Sequence, residues 1–218
     1  MPAKLPKAAS VAHKGEGDRL VAPSAARNVG AICDLLQAVA PAKGKALELA
    51  SGTGQHVTRF AACLPDLHWQ PSEIDANRRA SIDAHANDTG LENIALAIAL
   101  NATAPGWGNR HGGQALIVLV NLLHLITDDD AQVLIHEATN ALVKGGRLVI
   151  YGPFMRAGEL TSDGDKVFHA SLRSANPRIG YKDDFDMMDL LQAAGLEMVD
   201  VVEMPANNLA LVAEKPAI

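Results

Sequence analysis

The sequence has few aromatic residues and only two cysteines. Phe, Trp and Tyr together make up 4% of its 218 residues, so a hydrophobic core has to be built mainly from Ala, Leu, Val and Ile. Cys33 and Cys63 both lie in apolar runs and are expected to pack as small hydrophobic side chains rather than to form a disulfide. No two of the eight histidines are three to five residues apart, so the sequence offers no helical zinc pair, and we predict no metal site.

Basic clusters and long apolar runs are also missing. The net charge is −6, and no group of Lys and Arg stands out beyond the N-terminus, which argues against a nucleic-acid partner. No apolar run reaches transmembrane length, and no signal-peptide core follows Lys4 and Lys7. We therefore expect no membrane partner, a cytoplasmic location and a small-molecule substrate, while the oligomeric state stays open. The hydrophobic content of 48% is that of a globular chain.

The most informative stretch runs from Ala46 to His56. It reads as a strand, a glycine-rich turn and the start of a helix, so its backbone can approach a ligand closely. The residues that match the pattern (Asp/Glu)-x-Gly-x-Gly-x-Gly are Glu48, Ala50, Gly52 and Gly54, with alanine at the first glycine position. This looks like motif I of class I S-adenosylmethionine-dependent methyltransferases. A dinucleotide fingerprint would need a third glycine where the chain has Val57; an ordinary strand-to-helix turn is the remaining alternative.

The residues before this stretch divide into a lead and a helix. Residues 1–22 contain scattered proline, glycine and charge, and we interpret them as an irregular lead or a lid. The apolar spacing from Pro23 to Val39 predicts a helix with Ser24 as its N-cap. Arg27 and Asn28 lie in its first turn, which is either solvated or part of a site. One domain is expected over residues 23–218.

Acidic and amide side chains follow the predicted second and third strands. Leu67 to Ile74 reads as a strand, and Glu73 at its end is placed to bind ribose hydroxyls. Asp75 is the competing candidate, although it also suits the N-cap of the next helix. A third strand is predicted from Asn93 to Leu100, and Asn101 after it is either an adenine contact or a turn residue.

Two polar residues follow the predicted fourth strand. Ala115 to Val120 is a continuous apolar run, typical of a buried central strand, and Asn121 and His124 come just after it. Ligands of doubly wound sheets bind at this edge. We hypothesise that His124 is a general base or orients the acceptor; a buried histidine bonded to the backbone is the alternative. An acidic helix start at residues 127–130 follows.

The last part of the chain predicts how the sheet ends. A fifth strand covers residues 148–151, and the aperiodic segment 152–182, with a short helix near 166–174, is interpreted as a wall of the substrate site or a lid. A helix from Asp183 to Ala194 precedes two strands, Leu196 to Glu203 and Leu209 to Glu214, whose short connection makes them antiparallel. The predicted fold is a Rossmann-like α/β three-layer sandwich with a seven-stranded, mostly parallel sheet and an antiparallel last strand.

From about Pro23 onward the chain resembles a small family first catalogued as a domain of unknown function, whose animal members are called methyltransferase-like proteins. The matching stretches are residues 25–28, 49–56, 69–75, 121–124, 151–154, 171–173 and 204–209. The resemblance implies a class I methyltransferase fold with S-adenosylmethionine as cofactor. The family usually has an acid where this chain has Ala26, and Asp where it has Asn101.

The resemblance also implies roles for individual residues. It places Arg27 and Asn28 near the amino-acid end of the cofactor, Glu48 to Gly54 along it, and Glu73 at its ribose. The full set of predicted cofactor residues is Arg27, Asn28, Glu48, Ser51, Gly52, Gly54, His56, Glu73, Asn101, Ala102 and Asn121. The predicted substrate contacts are Phe154, Arg173 and Asn207, and His124 and Tyr151 are the catalytic candidates. A nicotinamide-dependent oxidoreductase and a module that binds the cofactor without catalysis are the alternatives.

Overall fold

The computed structural model describes residues 11–217 and folds them into helices on both faces of one large sheet. The strands are β1 His13–Lys14, β2 Leu20–Val21, β3 Gly44–Leu49, β4 Leu67–Pro71, β5 Gln114–Val120, β6 Leu142–Met155, β7 Lys182–Asp183, β8 Glu197–Met204 and β9 Asn208–Glu214. The helices are α1 Pro23–Val39, α2 Gln55–Cys63, α3 Ala76–Thr89, α4 Trp107–Arg110, α5 Asp128–Ala141, α6 Asp163–Ala175 and α7 Asp184–Ala193. Residues 1–10, the first part of the predicted lead, lie outside the described residues.

The large sheet has seven strands, in the order β4-β3-β5-β6-β9-β8, with β7 paired to β6. Pairing is parallel from β4 to β6, and β9 runs antiparallel to both β6 and β8. The last strand therefore runs opposite to its neighbours, which confirms the predicted fold class. The carboxyl ends of β3, β4 and β5 meet at one edge of this sheet.

The predicted second strand is shorter in the structure, and the predicted third strand is not formed as a strand. β4 ends at Pro71, and the segment from Asn93 to Leu100 forms only isolated bridges, Trp69 with Ile94 and Ser72 with Ile98. The Ala97 N–H donates to the Asp83 side chain (2.8 Å) instead of to a strand, so the ladder is interrupted. Leu96 is 70% exposed, so this apolar run is not a buried strand of the sheet.

Two hydrophobic clusters on opposite faces of the sheet produce the three layers. Leu116 and Val118 of β5 pack with α1 and α2, whereas Ile117 and Leu119 pack with α5 and α7. This alternation is the period of a strand buried on both faces. Cys33 is buried in the first cluster, and both cysteines are free, as predicted.

The helix ends differ in how well they match the sequence. Ser24 is not the cap of α1: the cap is Ala22, with no side-chain bond, and Pro23 begins the helix. Thr127 and Asp130 form a reciprocal capping box at α5, which confirms the acidic helix start. α6 begins at Asp163, earlier than expected, because Ser162 caps it. Of the helices in residues 11–217, none is long and apolar enough to cross a membrane.

Candidate functional site

A cavity of about 1030 Å³ lies at the carboxyl edge of the sheet. It has a glycine-loop end, lined by Glu48, Gly52, His56 and Glu73, and an aromatic end, lined by His124, Asp165, Phe168 and Tyr181. The predicted site residues that line it are Arg27, Glu48, Ser51, Gly52, His56, Glu73, Asn101, Ala102, Asn121 and His124. Most of the predicted cofactor residues therefore share one cavity.

The glycine loop holds its backbone in the left-handed region. Ala50, Gly52 and Gly54 have φ angles of 50°, 60° and 94°. Alanine therefore occupies the first glycine position at a conformational cost, and such strain is common at functional sites. Gly54 does not line the cavity; a Cβ there would lie 2.6 Å from the Cα of Ile82, so this glycine lets α2 and α3 pack closely.

Glu73 is held in place by backbone N–H groups. Its Oε2 accepts from Gly52 N–H (3.1 Å), and its Oε1 accepts from Ile74 (2.7 Å) and Asp75 (3.2 Å). Asp75 itself caps α3, by accepting from the Arg78 N–H. Of the two candidates, Glu73 is the carboxylate that is fixed against the glycine loop, and Asp75 has the capping role.

Glu48 is a buried carboxyl group with spare hydrogen-bonding capacity. It is 1% exposed, and burial raises its pKa to about 8, with a smaller contribution from the Glu73 charge. Among the described residues its Oε2 has no hydrogen-bond partner. A buried polar atom without a partner is costly, so this oxygen suits a hydrogen-bond donor or a cation in the cavity.

His56 connects the cavity to the core through Asn28. The His56 Nε2 lies 2.8 Å from the Asn28 Oδ1, and burial lowers the pKa of His56 to about 4. Tyr151 is 2% exposed and packs in the core, with its phenol bonded to Asn28. Tyr151 and Asn28 do not line the cavity; they lie behind His56.

His124 lies at the aromatic end, just past β5. Burial, and secondarily the Lys182 ammonium, lower its pKa to about 3. Its Nδ1 is buried and has no hydrogen-bond partner within residues 11–217. The ring meets Phe168 and Tyr181 edge-on, at centroid distances of 5.7 and 6.2 Å. Asn121 precedes it with a φ of 56° and also lines the cavity.

Asp165 connects three segments of the chain beside the aromatic wall, which is formed by Phe168 and Tyr181. It accepts hydrogen bonds from Ser162 Oγ (2.6 Å), Thr161 Oγ1 (3.1 Å), Tyr181 Oη (3.0 Å) and Asn207 Nδ2 (3.3 Å). These bonds outweigh the effect of burial and hold the pKa of Asp165 below its usual value.

The predicted substrate contacts do not line the cavity. Phe154 is in the core, Arg173 is exposed on α6, and Asn207 acts through Asp165. The structure instead brings Asp165, Phe168 and Tyr181 to the site, all from the aperiodic segment 152–182. The sequence predicts this segment as a wall of the substrate site or a lid, but no motif in it marks these three residues.

The N-terminal lead is ordered where the structure describes it. β1 and β2 pair in an antiparallel hairpin, so the expectation of an irregular segment is wrong for these residues. Leu20 N–H donates to Ser81 Oγ (2.8 Å), and Ala22 N–H donates to Gln55 Oε1 (2.6 Å). Val11 and Ala12 line the cavity; a lid function for the lead stays a prediction.

The fold is that of class I methyltransferases, as comparison with solved structures shows. An O-methyltransferase family protein from Burkholderia thailandensis matches with a TM-score of 0.75 at 15% identity, over 86% of this chain and 56% of the other. An O-methyltransferase family 2 protein from Planctomyces limnophilus, in complex with apigenin, matches with a TM-score of 0.72 at 19% identity, over 88% and 60%. CalO1, a methyltransferase in calicheamicin biosynthesis in its SAH-bound form, matches with a TM-score of 0.69 at 19% identity, over 89% and 54%.

The family model described as "Protein of unknown function (DUF938)" matches residues 19–215. The chain therefore belongs to this family. It spans little more than half the length of each of the three solved structures, so their activities, substrates and partners are not transferred with the fold.

Proposed function

We propose that the protein is an S-adenosylmethionine-dependent methyltransferase that acts on a small molecule. The observation that carries the proposal is the glycine-loop end of the cavity, where an unpartnered buried carboxyl oxygen of Glu48 lies in the same cavity as the fixed carboxylate of Glu73. The resemblance to animal methyltransferase-like proteins and the cytoplasmic location belong to this proposal as well.

The residues at this end fit the chemistry of S-adenosylmethionine. Its ammonium group supplies the donor and positive charge that Glu48 Oε2 lacks, and its ribose diol can donate two hydrogen bonds to Glu73. Arg27 also lines the cavity and can pair with the carboxylate of the cofactor, while Asn101 and Ala102 line the same cavity and could contact the adenine. The solved structure of CalO1 in its SAH-bound form supports this choice.

The cofactor supplies the methyl group as an electrophile, so the chain has to align the acceptor and exclude water. We assign the role of orienting the methyl acceptor to His124, because this residue has an unpartnered buried atom at the aromatic end. Tyr151 is assigned a positioning role through Asn28 rather than contact with the reacting atoms.

Calorimetric titration with S-adenosylmethionine, S-adenosylhomocysteine and NADH tests the proposal. We expect the first two to bind and NADH not to bind. Binding of NADH alone would instead identify a nicotinamide enzyme, and binding of the first two with no turnover on any acceptor would indicate a non-catalytic module.

Two glycine variants distinguish a loss of cofactor binding at the glycine loop from a loss of overall stability. Gly52→Val places a β-branched residue at a φ of 60° in the loop, and we expect it to lose cofactor affinity. Gly90→Val imposes the same strain at a φ of 64° on the end of α3, away from the cavity. If both variants bind equally well, the glycine loop is not the cofactor site.

A further inference from the structure

At the aromatic end of the cavity, one buried polar side chain has a nitrogen without a hydrogen-bond partner among the described residues. His124 is 4% exposed, lines the cavity and leaves its Nδ1 without a partner among the described residues. The backbone oxygen of the same residue already accepts a hydrogen bond from Gly180 N–H (3.1 Å). The backbone carbonyl therefore has a hydrogen-bond partner, whereas the ring nitrogen has none within residues 11–217. A buried ring nitrogen without a partner is costly, and a hydrogen bond from a bound molecule would remove that cost.

The surroundings of this nitrogen are apolar and flat. Phe168 and Tyr181 meet the His124 ring edge-on and also meet each other, at 6.1 Å between centroids. Leu125 and Ile179 line the same end. Ring edges and branched aliphatic groups favour a planar apolar body, and the unpartnered nitrogen beside them favours a molecule with a group that can donate a hydrogen bond to it.

The charged groups around this end are already engaged. Lys182 Nζ, which is buried, donates to Ile126 O (2.8 Å) and pairs with Asp128. Asp130 accepts from Thr127 Oγ1 (2.8 Å), and Asp165 accepts four side-chain hydrogen bonds. An anionic acceptor would therefore lose its hydration without gaining a free cationic partner, and a cationic acceptor would have to compete with the donors that Asp130 and Asp165 already hold.

We propose that the aromatic end binds an uncharged aromatic alcohol, whose hydroxyl group donates a hydrogen bond to His124 Nδ1. This inference rests on the proposed methyltransferase function. The acceptor oxygen forms a bond to the methyl carbon as the carbon–sulfur bond of the cofactor breaks, and the electron pair of that bond stays on sulfur. The hydroxyl proton passes to His124 Nδ1 and then to water.

The weak basicity of His124 is compatible with this step. Burial and the Lys182 charge keep the imidazole neutral, so its nitrogen is free to accept the hydrogen bond. The hydroxyl becomes much more acidic as its oxygen bonds to carbon, so the proton can move late to a weak base.

Asp165 acts as a positioning residue for the same wall. It accepts the Tyr181 hydroxyl and holds α6 and the β8–β9 turn against that ring, and Tyr181 in turn meets His124. In Asp165→Asn, one acceptor oxygen becomes an NH₂ group that faces donors, so the wall should open without any change at the glycine-loop end.

The test uses three naphthalene compounds of matched size and a protein saturated with S-adenosylhomocysteine. Binding of neutral 2-naphthol, anionic 2-naphthoate and cationic 2-naphthylmethylammonium is measured by calorimetry. We expect 2-naphthol to bind at least about tenfold more tightly than either ion. His124→Ala and Asp165→Asn should each weaken 2-naphthol by about tenfold, whereas His136→Ala, an exposed histidine on α5, should leave its affinity unchanged.

The same titrations separate this inference from the proposed function. Unchanged S-adenosylhomocysteine affinity shows that a variant is folded, and His124→Gln provides a second variant with a polar side chain. If S-adenosylhomocysteine binds but 2-naphthol does not, or if an ion binds as tightly as 2-naphthol, the assignment of the aromatic end is wrong and the methyltransferase proposal stands. If S-adenosylhomocysteine itself does not bind, both are overturned.

Discussion

The two ends of the cavity are built in different ways. The glycine-loop end comes largely from short turns that directly follow β3 and β4, and its Glu73 carboxylate is fixed by backbone N–H groups. The aromatic end comes largely from the long segment after β6, and side chains hold its wall together, as Asp165 does. A backbone-built site depends on few residue identities, whereas a wall held by side chains can be rebuilt for different acceptors.

The largest effect that separates the two ends is expected for Glu73→Ala. Removing two charge-assisted hydrogen bonds to ribose, each worth about 1.5–3 kcal/mol, should weaken S-adenosylhomocysteine binding by about a hundredfold or more. Asp165→Ala, the matched loss of a carboxylate at the other end, should change this affinity less than twofold. Calorimetric titration of both variants measures the contrast; equal losses would mean that the two ends are not independent.

Glu48 should make both stability and cofactor binding depend on pH. Its folded pKa of about 8 lies above the ordinary value of 4.5, so the folded state retains a proton that the unfolded state has lost. The free energy of unfolding should therefore fall as the pH rises from 4.5 to 8, by up to about 1.4 kcal/mol per unit. In Glu48→Gln this slope should disappear in denaturant titrations.

The cationic cofactor should reverse this protonation. An ammonium group beside Glu48 favours the ionised carboxylate, so binding at pH 7 should release nearly one proton. Calorimetry in buffers with different ionisation enthalpies measures that release. Glu48→Gln should release none, and an unchanged proton release in the variant would assign the effect to another group.

Histidines at the two ends should make the fold sensitive to acid over different ranges. His56 has a pKa of about 4 and His124 a pKa of about 3, both depressed by burial from 6.5. Each is neutral when folded, so the stability it contributes is complete above pH 6.5 and is lost as the pH falls toward the folded value. At pH 5 each should cost about 2 kcal/mol relative to pH 6.5 and above.

Single variants measure these contributions. Urea titrations of His56→Gln and His124→Gln should show a smaller loss of unfolding free energy between pH 6.5 and 5 than the native chain. The exposed His136→Gln should behave as the native chain does. If His124→Gln keeps the full acid sensitivity, that ring is not the buried neutral group described above.

The sequence predicted the glycine-loop end far better than the aromatic end, for a physical reason. Gly52 and Glu73 each follow a strand, and the carboxyl ends of parallel strands meet at one edge of the sheet. Recognising the two strands in the sequence is therefore enough to predict that these residues lie close together. The antiparallel end of the sheet could be predicted from the short connection before the last strand, whereas the apolar run from Asn93 to Leu100 was predicted as a strand and forms only isolated bridges, with Leu96 exposed.

The aromatic wall depends on contacts between residues that are distant in the chain. Tyr181 reaches Asp165 across α6, and Asn207 reaches it from the β8–β9 turn. Hydrophobic periodicity is a local pattern in the sequence and does not reveal contacts between distant residues. Arg173 and Phe154 were therefore predicted to contact the substrate, whereas Phe168 and Tyr181 line the cavity. Tyr151 lies in the predicted fifth strand, which the structure extends to Leu142–Met155, but its side chain packs in the core.

The smallest expected effect compares two alanines with positive φ angles, one from the glycine loop and one from the β8–β9 turn. Ala50 has a φ of 50° and Ala206 a φ of 59°. Left-handed backbone costs a residue with a Cβ about 1–2 kcal/mol, and glycine gives back about 0.5–1 kcal/mol through its larger unfolded-state entropy. Ala50→Gly and Ala206→Gly should therefore each raise the free energy of unfolding by at most about 1 kcal/mol, measured in urea. Only Ala50→Gly should also weaken S-adenosylhomocysteine, by less than about tenfold, because it loosens a loop that is held ready for the cofactor. Equal binding losses in the two variants would contradict the independence of the two ends.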